Sequence, residues 1–286
     1  MASRASLAVR CLAALAFAAS AGCVGGPSPL APSQRGSIGV PHRGVLTQAA
    51  SLPKRGEGFE RLRDNGRNWG NPRLVSAIEQ AAAAVARQRP GGAPLVVGDL
   101  SERFGGESSG HRSHRTGRDA DLLFYVTTPG GRPLTSPGFV RIGPDGLAAV
   151  DEGKHPFVRI DLEREWLLVR ALVESPQANV QWLFAARWLE GLVIEYARAR
   201  GEDPELVWQA ENVLLQPGDS AAHDDHLHLR IACTTDEAVA GCVGGGPRWP
   251  WLAPAPTLEP ISDEELGRAI ADDLLPGAPR AAGAAP

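Results

Sequence analysis

The sequence predicts one α+β domain in which a central antiparallel or mixed sheet is flanked by helices. Segments with helical periodicity and short apolar runs are interspersed from residue 71 to residue 233, a mixture that favours this class over a doubly wound fold. No Gly-x-Gly-x-x-Gly turn follows any predicted strand, which argues against a dinucleotide-binding fold. With 286 residues, of which 43% are hydrophobic, the chain can bury one sizeable core.

Four helices are expected between residues 71 and 233, and a short helical pattern in the tail starts at Ser262. Asn71-Pro72 starts the first, because proline is tolerated at the first helical position, and Pro90-Gly91-Gly92 ends it after Arg89. Asp161 caps the second helix, whose apolar residues recur at helical spacing: Leu162, Trp166, Val169 and Val173. The third and fourth helices are expected at about residues 187–200 and, started by Asp203-Pro204, about 204–215.

The predicted strands are short runs of apolar residues between loop signals. They lie at Leu95–Val97, Asp119–Thr127, Phe157–Ile160, Val180–Phe184 and His226–Cys233.

Both ends of the chain have compositions typical of segments outside a folded domain. Residues 1–23 combine Arg4 and Arg10 with an uncharged apolar run and small residues, which is typical of an export signal. Ala21-Gly22-Cys23 also resembles a lipoprotein cleavage site, so that a lipidated Cys23 tethered to a membrane and plain secretion both stay open. We predict a flexible linker at residues 24–54, a folded domain at 55–246 and a Pro/Ala-rich tail at 247–286.

Charge and cysteine content narrow the class of protein. The net charge is −4 and no basic run is present, so we expect no nucleic-acid partner. Cys233 and Cys242 remain in the body of the chain and should form a disulfide in an oxidising compartment. Free or metal-bound thiols are the alternative, although a lone pair spaced nine apart fits no zinc-ribbon pattern. These features predict an exported protein of the periplasm or cell envelope.

Five of the seven histidines lie in two short clusters about 110 residues apart, and both clusters contain aspartates. The first runs from Gly110 to Asp121 and the second from His223 to His228. Histidine and aspartate are the ligands that zinc prefers where a site performs hydrolysis. The clusters therefore predict a metal site, which the central sheet would carry.

The spacing of these residues leaves one coordination position open. On a strand, residues two apart share a face, so His226 and His228 project together. His114 lies on a Gly/Ser-rich loop seven residues before Asp121, and Gly117 permits the turn that brings the two together. Two histidines and one carboxylate around zinc leave a fourth position for water, which is the arrangement of a hydrolytic site.

Three segments carry a resemblance to a known family: Gly98–Ser101, Gly110–Asp121 and His223–Arg230. Together they closely resemble the penicillin-insensitive murein endopeptidases, which belong to a wider group of zinc peptidases with lysostaphin-type enzymes and D-alanyl-D-alanine carboxypeptidases. The resemblance covers about Trp69 to Cys233. It implies Zn²⁺ bound by His114, Asp121 and His228, metal contact by His111, and catalysis by His226.

What the resemblance implies is a zinc-dependent endopeptidase that hydrolyses peptidoglycan cross-links of the D-alanyl-diaminopimelate type through a metal-activated water. Two other functions stay open: another exported metallohydrolase such as a phosphoesterase, and a non-catalytic zinc-binding or wall-binding module. The adjacent His223-Asp224 suggests the phosphoesterase, but its further ligands would have to come from Asp151, His155 and Asp161. The intact His226 argues against a module without turnover.

Several neighbours of the site have more than one possible role. His111 could bind the metal directly or hydrogen-bond to the site. His223 could bind substrate, polarise a neighbour or simply end its loop. Asp119 could orient the loop or balance Arg118. Arg230, on the strand face of the two strand histidines, could pair with a substrate carboxylate or with an acidic loop.

Overall fold

The computed structural model describes residues 35–150, 156–218, 220–252, 262–264 and 267. The predicted export signal with Cys23, most of the predicted tail, and both Asp151 and His155 lie outside these residues. Within the described ranges, no helix has the length and apolar character needed to cross a lipid bilayer.

Fifteen strands form in the described part of the chain, and many are only two to four residues long. In chain order they are β1 (Ser37–Val40), β2 (Arg43–Leu46), β3 (Ala50–Ser51), β4 (Arg55–Gly56), β5 (Phe59–Arg61), β6 (Trp69–Gly70), β7 (Leu95–Val97), β8 (Asp119–Leu122), β9 (Val126–Thr127), β10 (Pro133–Leu134), β11 (Leu147–Ala149), β12 (Phe157–Ile160), β13 (Val180–Phe184), β14 (Leu214–Leu215) and β15 (Leu227–Ile231).

Seven of these strands form the central sheet, in the order β14-β13-β15-β8-β7-β5-β4. The pairs β13–β14 and β5–β7 are parallel, and the other neighbours are antiparallel. A four-stranded sheet, β10-β9-β12-β11, and two strand pairs, β1-β2 and β3-β6, lie beside it. The mixed sheet with its helices confirms the predicted α+β class.

Five helices are described: α1 (Pro72–Gln88), α2 (Leu162–Val173), α3 (Arg187–Ala199), α4 (Pro204–Val213) and α5 (Thr235–Val239). The predicted caps are present, because Asn71 accepts a hydrogen bond from the N–H of Arg73 at the start of α1, and Asp161 accepts one from the N–H of Arg164 in α2. The fourth helix ends earlier than predicted, since Leu214 and Leu215 leave it to pair with β13.

The two faces of β8 and β15 differ sharply in chemistry. Ala120 and Leu122 of β8 and Leu227 and Leu229 of β15 belong to the core cluster that the sheet shares with α1 to α4. Strand side chains alternate between faces, so the residues between them point away from this core. Those residues are polar or charged: Asp119, Asp121, His228 and Arg230.

The predicted strand Asp119–Thr127 is in fact two strands in two sheets. After Leu122 the backbone leaves the central sheet, and the N–H of Tyr125 donates to the carboxylate of Glu165 at 3.2 Å. The chain then enters the four-stranded sheet at β9. A side chain 40 residues away therefore interrupts an apolar run that looks continuous in the sequence.

Secondary structure begins inside the predicted linker of residues 24–54, with β1 to β3. Leu46 and Leu52 are buried there. Beyond residue 246, the indole N–H of Trp249 donates to the carbonyl of Gln181 at 2.8 Å, so that the domain extends past its predicted boundary. Buried leucines and a side-chain hydrogen bond, and not an apolar periodicity, attach these Gly-rich and Pro-rich segments to the domain.

Cys233 and Cys242 form a disulfide, as predicted. The segment that follows it supports the buried Arg118, whose guanidinium donates to the carbonyls of Val243 and Gly244, both at 2.7 Å. The segment that follows the disulfide thus packs against Arg118, the residue just before β8.

Candidate metal centre

The site is assembled across three adjacent strands of the central sheet. The register places His228 of β15 opposite Asp121 of β8 on one side and opposite Phe184 of β13 on the other. Arg230 lies opposite Asp119. Cross-strand partners are the closest side-chain neighbours in a sheet, so the strand pairing alone brings these groups together.

Three imidazoles converge on one carboxylate. Oδ1 of Asp121 lies 3.2 Å from Nε2 of His114, 3.2 Å from Nδ1 of His228 and 3.3 Å from Nε2 of His226. Nδ1 of His111 lies 3.8 Å from the other carboxylate oxygen. The structure therefore brings together the residues that were predicted to form the centre. They come from the loop before β8, from β8 and β15, and from the residue just before β15.

The far nitrogens of the two predicted histidine ligands are held by hydrogen bonds. Nδ1 of His114 donates to the carbonyl of Leu100 at 2.9 Å, and Nε2 of His228 donates to Oδ1 of Asp119 at 2.8 Å. Each ring therefore turns its other nitrogen toward Asp121, where that nitrogen can offer its lone pair to a metal ion. This is the tautomer and orientation that metal-ligating histidines require.

Carboxylates hold the other two imidazoles in the same way. Nδ1 of His226 lies 2.6 Å from Oδ1 of Asp225, and Nε2 of His111 lies 3.0 Å from Oδ2 of Asp99. Asp99 is fully buried, and Arg63 donates to both of its oxygens at 3.0 and 2.7 Å. Asp99 was not predicted as a functional residue, although it lies in the Gly98–Ser101 segment.

Unusual backbone conformations position the loops. His114 and His223 have positive φ angles of 64° and 53°, which are rare outside glycine and cluster at functional sites. Gly117 has a φ of 72°, and a Cβ there would lie 2.6 Å from a methyl group of Leu46. Gly117 thus makes the predicted turn between His114 and Asp121.

The charges around the two aspartates determine their ionisation. Burial raises the pKa of Asp121, but the positive charges of His114 and His226 outweigh it and hold the pKa well below its usual range. Burial likewise opposes ionisation of Asp119, yet Arg230 and His228 keep its pKa low. Both carboxylates are therefore ionised at neutral pH.

Two histidines of the second cluster, His223 and His226, have opposite pKa shifts. Burial and the charges of His228 and His226 lower the pKa of His223 to about 4. For His226, burial lowers the pKa, but Asp121 and Asp225 prevail and raise it to about 9. His223 is therefore a neutral imidazole beside a more basic one.

The donor set fits a divalent metal ion. Nε2 of His114 and both oxygens of Asp121 are buried and have no hydrogen-bond partner among the described residues. A buried carboxylate and an imidazole lone pair left without partners are costly, and a cation satisfies both. Donor atoms of His111, His114 and Asp121 lie within 4.8 Å of one another, as do those of His223, His226 and His228.

A cleft of about 800 Å³ opens onto these groups. Phe139 packs against His226 with ring centroids 5.3 Å apart, and Phe184 packs against His228 at 5.5 Å. The cleft also contains His42, which was not predicted, and Arg230. Most of the side chains that line the cleft are polar or charged, and the two aromatic rings form apolar parts of its wall.

The remaining predicted neighbours have specific positions. Asp119 does not hydrogen-bond to Arg118. It accepts instead from His228 and, at 2.7 Å, from Nε of Arg230. Arg230 therefore pairs with a strand carboxylate and not with an acidic loop. His223 lines the cleft, and its Nδ1 donates to the carbonyl of Ala221 at 2.9 Å.

Of the ligands suggested for a two-metal phosphoesterase, Asp161 caps α2 and Asp151 and His155 lie outside the described residues. Two cleft residues, Phe139 and Phe184, were missed by sequence analysis because a lone aromatic residue predicts burial equally well.

The family model and the relatives that this chain resembles carry the same description. Residues 37–137 match the family model of penicillin-insensitive murein endopeptidases. The chain is similar to the penicillin-insensitive murein endopeptidase of Haemophilus influenzae, with 27% identity over 219 residues, covering 73% of this chain and 68% of that protein. It is 33% identical to the protein of that name from Escherichia coli K12 over 127 residues, covering 43% of this chain and 44% of that protein. The match thus spans less than half the length of the Escherichia coli protein.

Proposed function

We propose that the chain is a member of the penicillin-insensitive murein endopeptidase family and acts as a zinc-dependent peptidase that hydrolyses peptide cross-links of peptidoglycan. The observation that carries the proposal is the convergence of His114, His226 and His228 on the ionised Asp121 at the floor of a cleft.

The proposed metal ligands are His114, Asp121 and His228, with His111 as a further contact. Their lone pairs face one another, and their outer nitrogens are fixed by Leu100, Asp119 and Asp99. When bound in such a site, zinc supplies a Lewis acid and lowers the pKa of a water molecule to roughly 7.

His226 is the proposed catalytic base and acid. Asp225 holds its Nδ1, so that Nε2 faces the ligand cluster from the cleft side. Without a metal, Asp121 and Asp225 raise the pKa of this imidazole to about 9. A cation on Asp121 would cancel much of that attraction, and the neutral imidazole could then accept a proton from water and return it to the leaving amine. Phe139 packs on its ring and limits the directions it can turn.

The substrate-binding groups proposed here are His223 and Arg230. The guanidinium of Arg230 lies 5.2 Å from the ring centre of Phe184 and is partly exposed to the cleft, where it can bind a carboxylate of a stem peptide. A bond of the D-alanyl-diaminopimelate type is the proposed cleavage point. This substrate requires an envelope or periplasmic location, which the Cys233–Cys242 disulfide suits. Secretion with or without lipidation of Cys23 is compatible with it.

Digestion of purified cross-linked muropeptide dimers tests the proposal. We expect monomers to accumulate, the reaction to stop with EDTA, and zinc to restore it. Intact dimers together with hydrolysis of bis-p-nitrophenyl phosphate would instead indicate a phosphoesterase. Zinc binding without turnover of either compound would indicate a binding module.

A further inference from the structure

A continuous row of aromatic side chains leads out of the cleft. Successive ring centroids are 5.8, 5.3, 5.1 and 5.1 Å apart. We call this the aromatic row, and its members in order are Phe184, Trp182, Trp249, Trp251 and Trp208.

The row is a partly exposed surface and not part of the fully buried core. None of its members is fully buried, and Trp208 on α4 is 45% exposed. The indole N–H groups of Trp182 and Trp249 donate to the carbonyls of Gly245 and Gln181, at 3.2 and 2.8 Å. These bonds fix the rings and satisfy their polar atoms, so that what the row offers to a ligand is rigid apolar ring surface.

From this geometry we infer that the aromatic row docks the glycan strand of peptidoglycan, an inference that rests on the proposed function. The C–H faces of pyranose rings are apolar and stack on aromatic rings, while their hydroxyl groups stay in water. The row is only partly exposed, but it is contiguous and begins inside the proposed active-site cleft, as an extension of that binding site would.

The reach of a stem peptide fits this assignment. Three to four extended residues span roughly 10–14 Å. From His228 the ring centres step 5.5 Å to Phe184 and a further 5.8 Å to Trp182. A stem peptide of this length that runs from the metal centre along Phe184 can place its sugar near Trp182. The next sugars along the strand would then lie over the rest of the row.

Glycan strands freed of their peptides test the assignment without catalysis. The full-length protein is treated with EDTA and titrated with these strands while its tryptophan fluorescence is recorded. We expect saturable binding that Trp208→Ala and Trp251→Ala each weaken by roughly three- to tenfold, the equivalent of one lost aromatic contact. Phe104→Ala is the matched control, because Phe104 is 70% exposed and lies outside the row.

Trp208 is exposed enough for its substitution to leave the fold intact, and thermal unfolding of each variant checks this. Equal affinities in wild type and both variants would overturn the inference. Absence of binding would also overturn it, as expected if a second copy or another segment of this chain covers the row.

A second arm separates this inference from the proposed function. On intact sacculi, Trp251→Ala should cut more slowly than wild type, whereas on sugar-free cross-linked peptides the two rates should match. Failure of the wild type to cut either substrate would refute the proposed peptidase activity but leave the glycan titration as a valid test. Equal slowing on both substrates would contradict glycan docking.

Discussion

Asp121 in the cleft and Glu165 at the start of α2 are both buried carboxylates, each with 1% of the residue exposed. Three imidazoles surround Asp121, and its pKa lies well below the usual range. Glu165 accepts one backbone N–H, and its Oε1 has no hydrogen-bond partner among the described residues. Burial, which one hydrogen bond does not offset, raises its pKa to about 8.

The difference shows what a metal-binding carboxylate needs. Burial alone raises the pKa of a carboxyl group and so favours its protonated, uncharged form. A carboxylate that stays ionised at the same depth requires positive groups placed around it, and at Asp121 those groups are themselves potential ligands. Positive groups that keep a buried carboxylate ionised therefore distinguish a metal-binding residue such as Asp121 from an isolated buried acid such as Glu165.

Matched isosteric substitutions give the largest expected contrast. Asp121→Asn removes the proposed ligand charge, and we expect zinc affinity to fall by more than the roughly 10–100-fold typical of outer hydrogen-bond partners, with loss of muropeptide cleavage. Glu165→Gln should keep both. Zinc content after dialysis measures the contrast, and equal zinc content in the two variants would show that Asp121 is no more important to the metal than Glu165.

His226→Ala separates catalysis from metal binding. We expect muropeptide turnover to fall by roughly 10²–10⁴-fold, because a positioned acid and base is lost, while bound zinc stays at the wild-type amount. His228→Ala is the control that should lose both. Loss of zinc in His226→Ala would make His226 a ligand and would remove the proposed division of roles.

Asp119→Asn tests the hydrogen bond that orients the proposed ligand His228. The substitution keeps the shape but weakens the hydrogen bond that orients His228, so we expect zinc affinity to drop by roughly 10–100-fold. Competition with a chelator of known affinity measures the change. Unaltered affinity would mean that strand pairing alone orients His228.

Glu165 should make the fold less stable as the pH rises. Its pKa in the folded chain is about 8 against 4.5 for the free side chain, so the folded state holds a proton that the unfolded state releases between these values. The free energy of unfolding therefore falls with rising pH in this window, by up to about 1.4 kcal/mol per pH unit. Urea unfolding of Glu165→Gln should lack this contribution, and parallel pH profiles of variant and wild type would contradict the assignment.

The comparison also shows what the sequence could reveal. Alternation along the second cluster predicted that His226 and His228 project together, because a strand has a fixed period of two. In the structure a ring nitrogen of each lies within 3.3 Å of Oδ1 of Asp121. The interruption after Leu122 was not predictable from local pattern, since it depends on Glu165 from a distant helix. The hydrogen bond between His111 and Asp99 was missed for a similar reason, because it joins two irregular loops whose sequences have no periodicity.

The N-terminal strand pair had no strand signal in its sequence. β1 is four residues long and contains Gly39, whose N–H bonds to the carbonyl of Gly241 beyond the disulfide-linked Cys233. Short strands that depend on contacts so distant in sequence resemble linkers until their partners are known. The aromatic row was hidden for a related reason, because its members come from three separate segments.

Anomalous diffraction at the zinc absorption edge, from crystals grown with zinc, tests the central claim most directly. We predict one strong peak bonded to Nε2 of His114, the carboxylate of Asp121 and Nδ1 of His228, at distances of about 2.0–2.2 Å. A peak bound elsewhere, or no peak among these three side chains in the presence of excess zinc, would contradict the proposed metal centre and the peptidase mechanism that depends on it.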